Sequence, residues 1–112
     1  MEEDNQKIWV KTSIYKKKVL IHSILYCKAE NRKVDIYFHP DGKLEGTSHT
    51  LADLESLLPS CKFFRCNRQY LINVDFVEEY SEKIPEVVLT NHLHISVAKE
   101  RKDELIRLLN MG

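Results

Sequence analysis

Apolar and polar residues alternate through most of this 112-residue chain, and this spacing limits the possible folds more than any other feature. In KVDIYFH, Lys33–His39, the side chains of Val34, Ile36 and Phe38 fall on one side of an extended backbone. Alternation with a period of two residues is typical of half-buried strands. Similar runs cover residues 8–12, 18–22, 24–27, 43–47, 63–72, 87–90 and 93–97, and a weaker one covers 73–80. A mostly β chain is therefore expected.

Three short segments are predicted to reverse the chain direction. In His39-Pro-Asp-Gly42, proline fixes φ at the first corner and glycine tolerates the last corner. Asn91-His92 lies between two apolar runs and predicts a tight hairpin. The run Lys16-Lys-Lys18 is expected at another hairpin tip, where it is either simply solvated or in contact with phosphate.

Two segments change to helical spacing. Thr50-Leu-Ala-Asp53 fits a capping box in its Asp form, and Pro59 stops the run, so a short internal helix is predicted at about 50–58. A closing helix is predicted at about 99–110, with Ser96 as its N-cap. Its apolar edge consists of Leu105, Ile106, Leu108 and Leu109.

The length fits one domain with a modest core. We expect this domain to span residues 8–110 and residues 1–7 to form a disordered or linker tail. The sequence has no apolar run of the length that a membrane span requires and no signal peptide at its start, which favours a cytoplasmic protein without membrane contact.

The residues that support catalysis or metal binding do not cluster. The three cysteines, Cys27, Cys61 and Cys66, have no CxxC spacing, and no histidine pair completes a zinc pattern. With only three glycines, the chain has no phosphate-cradling loop. A thiol dyad of Cys66 with a remote histidine has no local support. We therefore predict no catalytic residue, no metal and no cofactor.

Charge is distributed unevenly although the formal net charge is zero. Lys7–Lys33 contains seven lysines and one arginine against a single acid, Glu30. The segment 56–74 contains Lys62, Arg65 and Arg68 and no acid. If the fold brings both segments together, one face is strongly positive, and a nucleic-acid backbone responds to that face rather than to the sum of charges.

The stretch FFRCNRQYLIN, Phe63–Asn73, combines apolar anchors with an acid-free polar edge. Arg grips guanine with two hydrogen bonds, Asn and Gln do the same with adenine, and all three also bind phosphate oxygens. The apolar anchors are Phe63, Phe64, Leu71 and Ile72, and the projecting polar residues are Arg65, Asn67, Arg68 and Gln69.

This stretch resembles the central motif of the LytTR DNA-binding domain of bacterial response regulators, a Phe-x-Arg-x-His-Arg-Ser-x-x-Val-Asn run. Four further blocks resemble the same family in the same order: IWVK at 8–11, ILYCKAENRKVDIYF at 24–38, TLADLESLL at 50–58 and LHISVAKERKDEL at 93–105. The resemblance implies an elongated fold of small antiparallel sheets. It also implies sequence-specific DNA binding by loops that enter successive major grooves.

Site residues follow from the resemblance position by position. The implied base contacts are Arg32, Lys33, Asn67, Arg68 and Lys99, and the implied phosphate contacts are Lys28, Asn31, Arg65, Gln69 and Arg101. Asn67 and Gln69 stand where the family usually has His and Ser, and Ala98 stands where Arg is common.

The partner implied is double-stranded DNA, bound as the output domain of a two-component type transcription regulator. Pairing on repeated half-sites is expected, through a receiver domain that this chain lacks. The departures at Asn67 and Ala98 and the zero net charge leave an alternative open, a protein-interaction module on the same fold with weakened or lost DNA binding.

Overall fold

The computed structural model describes residues 6–110, in which ten strands form three antiparallel sheets and two α-helices pack against them. The strands are β1 (Lys7–Lys11), β2 (Lys16–Leu20), β3 (Ile24–Glu30), β4 (Lys33–Phe38), β5 (Lys43–Thr47), β6 (Phe63–Arg65), β7 (Tyr70–Asn73), β8 (Val77–Ser81), β9 (Glu86–Leu89) and β10 (His94–Ser96). The helices are α1 (Leu51–Leu57) and α2 (Lys102–Leu109). This architecture confirms the mostly β prediction. Of the predicted tail 1–7, residues 1–5 lie outside the described residues, and Lys7 begins β1.

A five-stranded sheet in the order β5-β4-β3-β7-β6 forms the middle of the molecule. Successive side chains of a strand point to opposite faces, so the adjacent Phe63 and Phe64 enter different hydrophobic cores. Leu71 and Ile72 divide in the same way on the neighbouring strand. The apolar anchors of the central motif therefore hold it from both faces of one sheet.

Each core is closed by different elements. The first core lies under α1 and the two-stranded β1–β2 sheet, and the second lies under α2 and the three-stranded β10-β9-β8 sheet. The first core consists of Val10, Val19, Ile21, Ile24, Cys27, Val34, Ile36, Leu51, Leu54, Leu58, Phe63 and Leu71. The second consists of Leu25, Tyr26, Phe64, Cys66, Ile72, Val87, Leu89, Ile95, Val97 and Leu105.

The internal helix begins and ends as its sequence predicts. The Asp53 backbone N–H donates to Thr50 Oγ1 at 3.0 Å, and the Thr50 N–H donates to Asp53 Oδ2 at 3.1 Å, which completes the capping box. Leu51 and Leu54 are buried under it.

Two local predictions were wrong, and a third, the strand at 73–80, holds only for residues 77–80. Ser96 lies in β10, paired with Glu86, and the closing helix instead begins with a 3-10 turn at Lys99–Arg101. The lysine run Lys16–Lys18 starts strand β2, so it is not the hairpin tip, which lies at residues 12–15. The segment 73–80 is interrupted by a 3-10 turn at Val74–Phe76, because the Asn73 side chain accepts a hydrogen bond from the Asp75 N–H.

Within the described residues, neither helix has the length and hydropathy needed to cross a membrane.

Candidate nucleic-acid interface

Two segments that are far apart in sequence meet at one end of the central sheet. The β3–β4 hairpin turns at Asn31-Arg32, between the paired residues Glu30 and Lys33. The loop 66–69 connects β6 to β7, and the Ala29 N–H donates to the carbonyl oxygen of Gln69 at 2.8 Å. Because β3 pairs with β7, the tip of the β3–β4 hairpin and the loop 66–69 lie at the same end of these strands. The predicted base-contacting residues of the hairpin, Arg32 and Lys33, therefore lie near Arg68 of the loop.

The hairpin tip is built from left-handed backbone. Asn31 has φ 53° and Arg32 has φ 67°, the combination found in two-residue type I′ turns. Asparagine tolerates this conformation, whereas an ordinary residue such as arginine pays about 1–2 kcal/mol for it. Glycine would suit position 32 better on backbone grounds alone. An exposed arginine at a strained apex is a feature that points to function.

Arg65 braces the loop from within. Its Nε donates to the carbonyl oxygen of Asn67 at 2.9 Å, and its Nη2 donates to that of Arg68 at 3.1 Å. Its Nη1 lies 3.6 Å from Glu55 Oε1 on α1. The Arg65 guanidinium is thus used inside the protein, and a phosphate contact, which stays a prediction, would have to share it.

Asn67 is also committed to backbone partners. Its Oδ1 accepts from the N–H groups of Gln69 at 2.8 Å and Tyr70 at 3.1 Å. Its Nδ2 donates to the carbonyl oxygen of Ser96 at 2.7 Å, which ties the loop to β10. Direct base reading by Asn67 therefore stays a prediction, with one Nδ2 proton left for it.

Arg68 and Gln69 project from this fixed loop. Both are exposed, and within residues 6–110 neither side chain forms a hydrogen bond or ion pair. Since the backbone on either side is held by Arg65 and Asn67, Arg68 is a free guanidinium on a stiff support.

A shallow cleft joins the hairpin tip to the loop. It has a volume of about 240 Å³, and none of its lining residues is acidic. Four cationic side chains contribute to it: Arg32, Lys33, Arg65 and Arg68. The remaining lining residues are Ala29, Val34, His49, Thr50 and Leu51. Sequence reasoning missed His49, whose place depends on a contact across 38 residues: its Nε2 accepts from the Lys11 N–H at 3.0 Å.

A third predicted segment reaches the same loop. The Ala98 N–H donates to the carbonyl oxygen of Cys66 at 2.9 Å, so the exposed Lys99 starts its 3-10 turn beside residues 66–69. Arg101 packs inward instead. Its guanidinium carbon lies 5.0 Å from the centre of the Phe64 ring, and its Nη2 lies 3.2 Å from Glu104 Oε1.

Lys28 lies on β3 below the hairpin tip. Its Nζ is 5.8 Å from the centre of the Tyr70 ring and 3.6 Å from Glu30 Oε1. Tyr70, and after it Glu30, raise the pKa of Lys28, so this side chain keeps its positive charge.

The two buried thiols, Cys27 and Cys66, are poor nucleophiles. Cys66 is fully buried, and burial raises its pKa to about 12, although Arg101 acts in the opposite direction. Burial also raises the pKa of Cys27 to about 12. A thiol with such a pKa carries almost no thiolate at neutral pH. Among the described residues, no group of three His, Cys, Asp or Glu side chains is placed to hold a metal ion.

Fold and charge together define a mostly β protein with a cluster of cationic side chains on the loops at one end of its central sheet. Residues 15–110 match the model of the LytTr DNA-binding domain, so the chain belongs to that family, which is defined by DNA binding and not by catalysis. The fold is similar to that of the LytTr DNA-binding domain of a protein from Bacillus cereus described as a methyl-accepting/DNA response regulator. That match has a TM-score of 0.72 and 22% identity, and covers 92% of this chain and 95% of the other. No curated protein matches the sequence significantly.

Proposed function

We propose that this domain binds specific double-stranded DNA as the output domain of a two-component type transcription regulator. The observation that carries the proposal is the acid-free cleft between two free arginines, Arg32 on a strained hairpin apex and Arg68 on a braced loop. Both project from a fixed backbone, so binding does not require the hairpin tip or the loop to be ordered first. Membership of the LytTr family supports DNA as the ligand.

The residues divide into three roles. Arg32, Lys33, Arg68 and Lys99 read base edges in successive major grooves, because they are exposed at the three convergent segments. Lys28, Asn31 and Gln69 bind phosphate oxygens, with Arg65 and Arg101 contributing to the local positive field. Asn67 chiefly positions Arg68, since both ends of its amide are already bonded to backbone.

One domain of this size reads a short half-site. We therefore propose pairing on repeated half-sites, driven by a receiver domain outside this chain, and a cytoplasmic location where bacterial DNA is accessible.

The direct test is selection from a pool of randomised duplexes, followed by affinity measurement between about 50 and 200 mM salt. The proposal expects an enriched motif and a steep loss of affinity with salt, since several phosphates are contacted. A flat salt response, or no enriched motif, would favour the protein-interaction alternative.

Replacing Arg68 with alanine should lower affinity for the selected site by about 5- to 150-fold, since a bidentate arginine–guanine contact contributes roughly 1–3 kcal/mol. Preference should be relaxed at one base position and kept at the others. Repeating the selection with the variant measures this. Equal loss on every sequence would reassign Arg68 to phosphate contact.

Replacing Arg32 with glycine should separate stability from binding. Glycine relieves the left-handed backbone, so the free energy of unfolding should stay the same or rise by up to about 1 kcal/mol. Affinity for the selected site should nevertheless fall by about tenfold or more, because a base contact is lost.

His92→Gly is the matched control. His92 also has positive φ, at 69°. It lies in the turn between β9 and β10, whereas Ala98 follows the opposite end of β10. This control should change binding by less than about twofold. Equal binding losses in the two variants would contradict a base-reading role for Arg32.

A further inference from the structure

The β1–β2 hairpin adjoins the cationic cleft. The family resemblance assigns no DNA contact to this hairpin, and of its residues only the run Lys16–Lys18 was considered for phosphate contact. Its end bridges to the central sheet through Thr12 and Thr47, and the Ser48 N–H donates to the carbonyl oxygen of Lys11 at 2.8 Å. The Lys11 N–H donates in turn to His49, which lines the cleft. The Lys11–Thr12 end of the hairpin is therefore joined to residues 47–49, and Thr47 pairs with Val34, the residue after Lys33.

The hairpin carries an unfavourable charge pair at this end. Lys11 and Lys16 are direct cross-strand partners, and both point away from the core that buries Val10 and Val19. Like charges placed directly opposite each other destabilise a β ladder. Within the described part of the chain neither lysine has an ion-pair partner, and no acid occurs from Gln6 to Ala29. A bound polyanion would remove this repulsion.

The tip between these lysines is fixed and exposed. Thr12 Oγ1 accepts from the Tyr15 N–H at 2.8 Å and from the Ile14 N–H at 3.2 Å. Tyr15 is nevertheless 65% exposed and Ile14 is 79% exposed. The local hydrogen bonds hold the turn in one shape, so the Tyr15 hydroxyl is presented outward without support from the core.

We propose that this hairpin edge, formed by Lys11, Tyr15 and Lys16, is a second DNA contact that grips phosphates flanking the base pairs read by Arg32 and Arg68. The inference rests on the proposed function. It commits to a DNA backbone because the Lys11 N–H is bonded to His49, which lines the cleft, and because none of the residues that line the cleft is acidic. The contact carries no sequence information and extends the footprint on the side of Arg32.

The test compares two duplexes that contain the selected site, one without flanks and one with about ten base pairs, one helical turn, added on each side. The variant is Lys11→Gln with Lys16→Gln. On the flanked duplex its affinity should fall by about tenfold, and its salt slope should be shallower by roughly two, one for each phosphate contact. On the short duplex the loss should be less than about twofold if the flanks hold those phosphates.

Lys43→Gln with Lys83→Gln is the matched control, because it removes the same charge from the start of β5, opposite Tyr37, and from the β8–β9 turn. Thermal unfolding checks the fold. Since Lys11 and Lys16 repel each other, their removal should keep or raise the melting temperature. A lowered melting temperature with unchanged DNA affinity would give the lysines a structural role and overturn the inference.

The outcomes separate this inference from the proposed function. If the Lys11/Lys16 variant and the control have the same affinity and the same salt slope on the flanked duplex, the hairpin does not contact DNA. This conclusion holds whether or not Arg68→Ala weakens binding. That result would instead favour an acidic protein as the partner of the exposed hairpin. If no motif can be selected, the same pair of variants on a random flanked duplex still tests the phosphate contact through the salt slope.

Discussion

Replacing Phe64 with alanine should lower the free energy of unfolding by about 3–5 kcal/mol. Its ring is 1% exposed and lies in the second core with Tyr26, Ile72 and Leu105. The lost ring leaves a cavity that rigid neighbouring strands cannot fill. It also removes the surface beneath the Arg101 guanidinium. Urea denaturation of the two proteins, analysed with a common slope, measures the difference.

Ile84→Ala is the control for this measurement. Ile84 is 65% exposed, so its truncation should change the free energy of unfolding by no more than about 0.5 kcal/mol. A Phe64 variant that unfolds at the wild-type urea midpoint would mean that the second core does not depend on this ring.

Replacing Asn67 with alanine should affect stability and recognition together. Three hydrogen bonds are lost, to Gln69, Tyr70 and Ser96, and we expect the free energy of unfolding to fall by about 1–3 kcal/mol. Without these bonds the loop no longer holds Arg68 in one position, so the 1–3 kcal/mol of a bidentate base contact should be lost as well. Affinity is measured well below the melting temperature, so that the variant is folded.

A double-mutant cycle with Arg68→Ala distinguishes positioning from direct base reading by Asn67. If Asn67 acts through Arg68, its truncation should add little to the loss of affinity once Arg68 is absent. Additive losses would show that Asn67 contacts the DNA itself.

Local patterns were sufficient to predict much of this fold. Alternation placed Val34 and Ile36 in one core, and the capping box at Thr50 placed the start of α1. The division of Phe63 and Phe64 between two cores was not foreseen, because alternation shows that neighbours face apart and does not show that both faces are covered. Ser96 was mistaken for a helix cap because its pairing with Glu86 depends on strands whose register the sequence does not display.

The sequence was sufficient to predict which segments form the candidate site, but not the hydrogen bonds that join them. Polar residues without nearby acids identified the two basic segments, and strand pairing brought them together. The commitment of the Asn67 amide to Ser96, 29 residues away, has no local signal. The same holds for His49 and Lys11, 38 residues apart. An asparagine that reads a base and one that ties a loop to a strand look identical in sequence.

The bracing of the loop by Arg65 and Asn67 has a thermodynamic consequence for the proposed complex. Most of the backbone conformational entropy of residues 66–69 is already lost in the free protein, because the side chains of Arg65 and Asn67 hold the backbone of this loop. Association then loses little further backbone freedom in this loop, so more of the interaction energy of Arg68 appears as affinity. Such a surface is expected to dock as a rigid body, with its encounter rate governed by the electrostatic field and the salt concentration rather than by a folding step.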